Sequence, residues 1–143
     1  MSSKNPIISV SLISTKEAMD LAVDIRYRVF VIEQKVDHEI EYDEFEESST
    51  HVLAELDGKA VGTARWRETE LGYKLERFAV PIEFRGLGVG AALVNFVLDQ
   101  LPTRSKAYLN SQVSAMGFYE KFGFRAVGDL FYEANIPHKK MVL

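Results

Sequence analysis

Glycines occupy three alternate positions in the segment Arg85 to Gly90, and a cation stands at its start. Because glycine has no Cβ, a backbone of this kind can approach a bound group closely. The apolar run that follows, Ala91 to Val94, predicts the first turns of a helix. Unpaired N–H groups at a helix N-terminus and the helix dipole both favour negative charge. The segment therefore predicts a site for a pyrophosphate group.

Three other interpretations of the glycine segment compete with this one. A P-loop requires Gly-Lys-Ser/Thr at the helix start, which Gly90-Ala91 does not provide. A dinucleotide-binding loop fits Gly86, Gly88 and Ala91, but Pro81 to Phe84 separate the preceding strand from the first glycine. The stretch 104–111 also contains no acidic residue to bind a ribose. A purely structural glycine turn stays open on the motif alone.

Size and composition describe an acidic globular chain. Its 143 residues, of which 47% are hydrophobic, predict a single domain over residues 1–143. The chain has no cysteine and its three histidines are widely spaced, so we expect neither disulfides nor a metal. A net charge of −4 and a pI near 5.4 argue against a nucleic-acid partner. Residues 1–6 do not resemble a signal peptide and no apolar stretch has membrane-spanning length, so we expect a soluble cytoplasmic protein without a membrane partner.

Acidic residues are concentrated in one short segment that contains no Lys or Arg. Its members are Asp37, Glu39, Glu41, Asp43, Glu44, Glu46 and Glu47. Charge runs are most often solvated faces. The alternative is a negative field that attracts a cationic substrate. Both interpretations are open at this point.

Hydrophobic periodicity and turn residues predict a mixed α/β chain. Apolar positions at helical spacing predict a helix over about 15–32, which begins at a capping box of Ser14 and Glu17. A hairpin turn at Asp57-Gly58 joins two predicted strands, 51–56 and 60–67. The other predicted elements are a strand over 7–13, a short helix around 43–48, a strand over 73–80, a mostly buried helix over 88–101, a strand over 106–110, a helix from Ser114 to Gly123, and strands over 124–127 and 138–142.

Two motifs in this order resemble the GNAT superfamily of N-acetyltransferases. Leu75 to Val80 followed by Arg85 to Ala91 is similar to the acetyl-CoA motif, Arg/Gln-x-x-Gly-x-Gly/Ala after a strand that ends in valine. Ala115 to Phe124 is similar to the second motif, A-x-x-F-Y-x-K-x-G-F. Three further segments resemble the small bacterial YjcF-like and ElaA-like members: Val29–Gln34, Gly62–Arg67 and Ile136–His138. Asn135 stands where those relatives tend to have glycine, and asparagine also tolerates a left-handed backbone.

The resemblance implies an α/β (α+β) fold of the GNAT type. This is a mixed, mostly antiparallel twisted sheet of about six to seven strands, with helices on both faces and two strands splayed at the cofactor site. Acetyl-CoA is the implied donor. The implied cofactor-binding residues are Phe78, Ala79 and Val80 on the strand, Arg85, Gly86, Leu87, Gly88, Val89, Gly90 and Ala91 in the loop and helix start, and Asn110, Phe118 and Tyr119.

The resemblance also implies how these residues act. Backbone N–H groups of the loop hold the pyrophosphate, and the edge of the strand 78–80 pairs with the pantetheine amides as an added strand does. One N–H of that strand meets the thioester oxygen, where negative charge grows in the transition state. The acetyl group passes directly to an amine in a ternary complex.

Acid and base roles are assigned to four side chains under the resemblance. Tyr119 is the expected general acid for the departing thiolate, since a tyrosine near its reference pKa of about 10 is protonated at neutral pH. An aromatic that only packs among its neighbours is the alternative. The amine must lose a proton before attack, which costs roughly 4.6 kcal/mol at pH 7. Glu76, Glu33 and His138 are the candidate bases, with an ion pair, a solvated helix end and a strand-surface histidine as the respective alternatives.

Two features of the sequence give opposed indications about the charge of the acceptor. By strand alternation Arg65 and Arg67 share one face and Trp66 the other. If these arginines face the cleft, they predict an anionic group on the acceptor. The acidic segment instead predicts a cationic group. An amino acid or a peptide has groups of both charges and would satisfy both indications. We expect a primary amine of a small molecule or peptide as substrate, and a homodimer is possible. The rival classes are a CoA-binding sensor or interaction module without turnover and a dinucleotide-dependent oxidoreductase.

Overall fold

A seven-stranded sheet lies at the centre of the molecule. The computed structural model describes residues 7–143 apart from the side chains of Glu39 and Ile40, so the segment 1–6 and the Glu39 carboxylate considered above lie outside the described residues. Across the sheet the order is β1-β2-β3-β4-β5-β7-β6, and only β4 and β5 run parallel. The mixed, mostly antiparallel sheet is therefore confirmed. Its strands are β1 (Ile8–Leu12), β2 (Thr50–Leu56), β3 (Lys59–Thr69), β4 (Gly72–Ala79), β5 (Ala107–Gln112), β6 (Arg125–Glu133) and β7 (Ile136–Val142).

Two tight turns set the register of the hairpins. Asp57 and Gly58 both have positive φ, +51° and +78°, as the predicted two-residue turn between β2 and β3 requires. Ala134 and Asn135 have φ of +50° and +63° and join β6 to β7, so Asn135 adopts the left-handed backbone expected of its type. Because β6 and β7 pair right up to this turn, both are longer than the predicted strands over 124–127 and 138–142.

The first helix differs from its prediction in two ways. Helix α1 (Lys16–Arg26) is capped by Thr15, not Ser14: the Thr15 Oγ1 accepts the N–H of Ala18 at 3.1 Å. After Arg26 the chain continues as a π-helix over Tyr27–Glu33. The predicted helix over 15–32 therefore consists of two parts with different hydrogen bonding, and π-helical segments are frequent at functional sites.

The remaining helices are α2 (His38–Glu41), α3 (Val89–Gln100) and α4 (Met116–Glu120). The short helix predicted around 43–48 is wrong, because Asp43 Oδ1 accepts the N–H of Phe45 at 3.1 Å and holds a turn there. Ser114 lies in a 3-10 turn and does not cap α4, whereas Gly123 has the predicted left-handed φ of +95°. None of the described helices has the length and apolarity to cross a membrane.

Helices cover both faces of the sheet. On one face α3 buries Leu93 and Val97 against Trp66, Leu75 and Leu109. On the other face Ala22 and Ile25 of α1, with Val29 of the π-helix, pack on Leu53 and Ala79. Trp66 thus lies on the α3 side, and Arg65 and Arg67 lie on the α1 side, as strand alternation predicted.

The acidic segment is neither wholly solvated nor a field for a cationic ligand. Arg26, 1% exposed, donates to Glu41 through Nε (2.6 Å) and Nη2 (2.8 Å) and to Glu46 through Nη1 (2.6 Å). Arg65, 0% exposed, donates to both Asp43 oxygens at 3.0 and 2.7 Å and to Glu46 at 3.0 Å. Three of the segment's carboxylates therefore neutralise buried arginines and hold the segment onto the sheet.

Removal of one member of this buried network should be costly. Arg26→Met leaves Glu41 and Glu46 buried without their main counter-charge, so we expect a loss of about 3–5 kcal/mol in the free energy of unfolding, measured by urea denaturation. The control is Lys16→Met, which removes the exposed Lys16–Asp20 pair at 2.9 Å and should change stability by less than about 0.5 kcal/mol. Equal losses in the two variants would contradict the role of the network.

The same network predicts the direction of a pH effect on stability. Burial raises the pKa of Glu46, but the neighbouring arginines outweigh it and hold this pKa below 4.5. A carboxyl whose folded-state pKa is lowered stabilises the fold fully above its unfolded value, and that contribution is lost as the pH falls through the folded value. The stability gap between wild type and Arg26→Met should therefore narrow below about pH 4.5.

Candidate active site

The parallel strand pair β4 and β5 opens into a cleft. Within residues 7–143, β4 and β5 pair solely over Tyr73–Leu75 and Ala107–Leu109. Beyond this stretch β4 continues beside β3 and β5 beside β7, so two strand edges face each other across a cleft of about 460 Å³. The π-helix, the acidic segment, α4 and the β6–β7 turn complete its walls. The expected splay of two strands is confirmed.

A β-bulge distorts β4 at this opening. Thr63 pairs with Ala79 and Arg65 with Glu76, so β4 has one residue more than β3 over the same span. Arg77 takes a left-handed φ of +60°, which costs a non-glycine residue about 1–2 kcal/mol. Its Nη2 donates to the Glu41 carbonyl at 3.1 Å and to Asp43 Oδ2 at 3.2 Å, and these bonds hold the conformation. The bulge leaves one residue out of the ladder to β3, at the edge of the cleft.

The glycine segment forms an exposed loop between the splayed end of β4 and helix α3. Gly86 and Gly88 have φ of +80° and +91°, which only glycine adopts readily, and Gly88 is the N-cap of α3. The first backbone donor inside the helix is Ala92, bonded to the Gly88 carbonyl at 3.0 Å. The N–H groups of 88–91 therefore have no intrahelical acceptor and remain available to an anion.

Phe118 packs against the first turn of α3. A Cβ at Gly90 would lie 3.2 Å from the Phe118 ring, so Gly90 permits this close approach. The two sequence motifs, far apart in the chain, thus meet at one place. Phe118 thus supports the glycine loop from the side of α4, and the next residue, Tyr119, lines the cleft.

Arg85 is fixed at the entrance of the loop by Glu33. The carboxylate of Glu33 accepts Nη1 and Nη2 of Arg85 at 2.8 and 2.6 Å, and Nε of Arg85 donates to the Val80 carbonyl at 2.8 Å. The Arg85 guanidinium holds the pKa of Glu33 below its usual range. Glu33 is not among the residues that line the cleft, so the structure brings it to the glycine loop rather than to Tyr119 and His138.

Tyr119 lies in an aromatic cluster at the wall of the cleft. Its ring makes edge contacts with Phe118, Phe78 and Phe124, with centroids 5.0, 5.9 and 6.2 Å away. Burial raises the pKa of the Tyr119 phenol well above its ordinary value of 10. The hydroxyl is therefore protonated throughout the physiological range, and it is a weaker acid than the tyrosine with a pKa near 10 that the sequence analysis expected.

His138 lies on β7 and faces the same cleft. Its Nδ1 lies 2.7 Å from the Ile136 carbonyl, which can only accept, so Nδ1 has the proton and the lone pair of the neutral ring is on Nε2. Glu133 Oε2 lies 3.9 Å from Nε2, and Phe131 stacks on the ring at 5.9 Å. Asn110, also in the cleft, lies 3.5 Å from the Glu133 carboxylate through Nδ2. The site therefore contains an oriented imidazole with its basic nitrogen toward an acidic group.

Glu76 is occupied by three cations. Its Oε1 accepts Nε of Arg67 at 2.9 Å and Nε of Arg65 at 3.2 Å, and its Oε2 lies 3.4 Å from Lys74 Nζ. Burial alone would raise the pKa of Glu76, but Arg65, Lys74 and Arg67 lower it below its usual range. A carboxylate held in this state is a weak proton acceptor. The arrangement matches the ion-pair alternative for Glu76.

Several residues that the sequence analysis did not single out also line the cleft. Gln112 Nε2 donates to Gln34 Oε1 at 2.8 Å and links β5 to the end of the π-helix. Glu133 and Lys74 contribute charges on opposite sides. Lys74 lies on the predicted strand over 73–80, which directly follows the predicted strand over 60–67 that contains Arg67. No local pattern indicated Gln34, Gln112 or Glu133.

Comparison with known proteins agrees with this fold. The sequence model of the acetyltransferase (GNAT) domain matches residues 14–143. The N-acetyltransferase YjcF of Bacillus subtilis, named as uncharacterised, is 37% identical over 131 residues, which cover 89% of this chain and 93% of that one. The chain therefore belongs to the GNAT acetyltransferase family.

Two solved structures illustrate the shared fold. Escherichia coli ElaA superposes with a TM-score of 0.84 at 24% identity and covers 95% of this chain and 99% of its own. Arabidopsis thaliana Naa50, in complex with the bisubstrate analogue CoA-Ac-MVNAL, has a TM-score of 0.71 at 22% identity, with 95% and 97% coverage. The expected GNAT fold and the resemblance to YjcF-like and ElaA-like members are confirmed.

Proposed function

We propose that this protein is an acetyl-CoA-dependent N-acetyltransferase that moves an acetyl group directly to a primary amine in a ternary complex. The observation that supports it most is the opening of β4 and β5 between the glycine loop and the cleft that contains Tyr119 and His138. A donor and an acceptor can approach this opening from its two sides. Naa50, of the same fold, is in complex with the bisubstrate analogue CoA-Ac-MVNAL, which is consistent with this function.

The donor site fits the diphosphate and the extended arm of acetyl-CoA. The exposed loop supplies N–H groups from Gly86 to Ala91 and the positive end of the α3 dipole, and the Arg85 guanidinium, paired with Glu33, lies at its entrance. The free edge of Phe78 to Val80 can pair with the pantetheine amides, as an added strand pairs with a sheet. In our proposal Asn110 bonds the pantetheine from β5, and Phe118 supports the loop from behind.

The loop geometry predicts a selective effect on CoA affinity. In Gly86→Ala the new methyl group meets no atom within 4 Å, but a φ of +80° is unfavourable for alanine, so the loop should rearrange and lose N–H contacts. We expect CoA to bind about 10-fold more weakly by calorimetry. Gly58→Ala is the matched control, since Gly58 has φ +78° and equally open surroundings in the β2–β3 turn. Unchanged CoA affinity in Gly86→Ala would count against the donor site.

In the proposed reaction the amine nitrogen attacks the thioester carbonyl, the C–N bond forms, and the C–S bond breaks. The amine gives up one proton to a base, and the departing thiolate takes one from Tyr119. The bulge of β4 supplies an N–H outside the ladder for the carbonyl oxygen, where charge develops. Burial keeps Tyr119 neutral, so its proton is present when the thiolate leaves.

Release of CoA thiol tests both the activity and the acid. We expect thiol release from acetyl-CoA that depends on an added amine, and a fall in kcat of about 100-fold in Tyr119→Phe with little change in the KM for acetyl-CoA. The control is Tyr132→Phe, since Tyr132 is 67% exposed on β6. Full turnover in Tyr119→Phe would eliminate the acid role. Tight CoA binding without amine-dependent release would instead favour the alternative function, a CoA-binding sensor or interaction module.

Among the three candidate bases His138 has the best geometry. Glu76 is neutralised by three cations and Glu33 by Arg85, and both have lowered pKa values. His138 has an unprotonated Nε2 in the cleft and a nearby carboxylate that stabilises the imidazolium once formed. We therefore assign the base to His138, directly or through one water.

The pH dependence of kcat/KM tests this assignment. A base acts only when unprotonated, so its titration produces the acidic limb of the profile. His138→Gln should lower kcat/KM by about 100-fold and flatten that limb. A limb that survives in His138→Gln and disappears in Glu76→Gln or Glu33→Gln would transfer the role to that carboxylate.

A further inference from the structure

Two cations stand side by side on the sheet face that lines the acceptor part of the cleft. Arg67 on β3 and Lys74 on β4 are direct partners in the antiparallel register. Like charges at such positions repel and destabilise a sheet. Both side chains line the cleft, with 17% and 19% of their surface exposed. Nothing in the proposed chemistry uses this pair.

The guanidinium of Arg67 is held rigidly with its outer donors unused. Its Cζ lies 3.6 Å from the centroid of the Phe45 ring, and its Nε is bonded to Glu76 Oε1 at 2.9 Å. Among the described residues, no atom accepts a hydrogen bond from its Nη1 or Nη2, and none accepts one from Lys74 Nζ. A planar, pre-oriented fork beside an ammonium group is the geometry that a carboxylate binds best.

The balance of charges around Arg67 and Lys74 also favours a ligand with a single negative charge. Arg26, Arg65 and Arg77 are balanced by ion pairs with Glu41, Glu46 and Asp43. Among the described residues, Arg67 and Lys74 form ion pairs with one shared carboxylate, Glu76, which also touches Arg65. The pair therefore keeps a local excess of positive charge. A carboxylate would neutralise it, whereas a phosphate dianion would exceed it.

We propose that Arg67 and Lys74 bind a carboxylate on the acceptor, so that the acceptors of this protein are amines with a carboxylate on the same molecule. This inference rests on the proposed acetyl transfer for the position of the reacting amine. Phe78, at the proposed thioester end, is four residues from Lys74 on β4, which is at most roughly 13 Å along a regular strand and less across the bulge at Arg77. The amine and the carboxylate are therefore several bonds apart, as in an ω-amino acid or a short peptide with a free C-terminus.

The opposite wall of the cleft complements the other end of such a molecule. Glu133 and His138 lie there, and together they can attract an ammonium group and then take its proton. The cleft thus has an anion-binding side and a cation-binding side. The anion-binding side comes from Arg67, while Arg65 is neutralised beneath the cleft. The cation-binding side comes from Glu133 and not from the acidic segment that the sequence analysis considered.

Matched acceptors test the inference. Acetyl transfer to 6-aminohexanoate is compared with transfer to 6-aminohexanamide, and transfer to glycylglycine with transfer to glycylglycinamide. We expect the acids to have kcat/KM values about 10- to 100-fold higher, mainly through KM. Equal values for acid and amide would overturn the inference. A higher value for an aminoalkyl phosphate than for the carboxylate of equal length would overturn the assignment of a carboxylate.

Variants assign the effect to the two cations. Arg67→Gln and Lys74→Gln should each reduce the preference for the acid toward unity, and Arg67→Lys should retain part of it, since lysine keeps the charge and loses the fork. The KM for acetyl-CoA should stay the same. Arg125→Gln, on the exposed start of β6, is the matched control and should keep the full preference. An unchanged preference in Arg67→Gln and Lys74→Gln would overturn the inference.

A binding measurement separates this inference from the proposed reaction. Calorimetric titration of the protein with 6-aminohexanoate and with its amide, in the presence of CoA, requires no turnover. Preferential binding of the acid that is lost in Arg67→Gln, without thiol release from any amine, would retain the carboxylate site and reject acetyl transfer. The absence of both a binding and a kinetic preference would reject the site even where amines are acetylated.

Discussion

The wall of the cleft depends on the burial of arginine side chains. A guanidinium group cannot lose its proton, so Arg26 and Arg65 can be buried only if carboxylates come to them. Those carboxylates belong to the segment 41–46, which has no apolar stripe of its own to pack on the sheet. Ion pairing is thus what attaches this segment to β3 and β4. The attachment holds Phe45 against Arg67 and brings the Glu41 carbonyl to Arg77, so the strained bulge and the polarity of the cleft follow from it.

The sequence predicted those features whose causes lie close together in the chain. The glycine loop, the turn at Asp57-Gly58 and the alternation of Trp66 with its flanking arginines were all correct, since each depends on a few neighbouring residues. The function of the acidic segment was not predictable in this way. A solvated run and a buried one have the same composition, and the partners of its carboxylates lie 15 to 34 residues away. The π-helix was also missed, because its apolar positions differ little from α-helical spacing.

In the candidate site, too, the sequence indicated some residues correctly and could not show the surroundings of others. Resemblance to a family indicated Tyr119 and His138, and the structure brings both to one cleft. It also indicated Glu76 and Glu33, but the arginines that neutralise them come from β3 and from the loop after β4. A residue type alone cannot tell a proton acceptor from an ion-pair partner, since the difference is in the surrounding charges. In this cleft Glu76 balances cations, and in our proposal the His138 imidazole exchanges the protons.

The π-helix after α1 has a consequence for how related chains can diverge. Its hydrogen bonds run from Gln34 to the carbonyl of Val29, one residue further than in an α-helix, so this stretch accommodates an additional residue without breaking the helix. Loss of one residue here would restore α-helical bonding and rotate each later side chain by about 100° around the axis. Phe30 and Gln34 contact the cleft from this stretch. Changes of a single residue in the length of this helix are therefore a simple way for one scaffold to accept molecules of different shape.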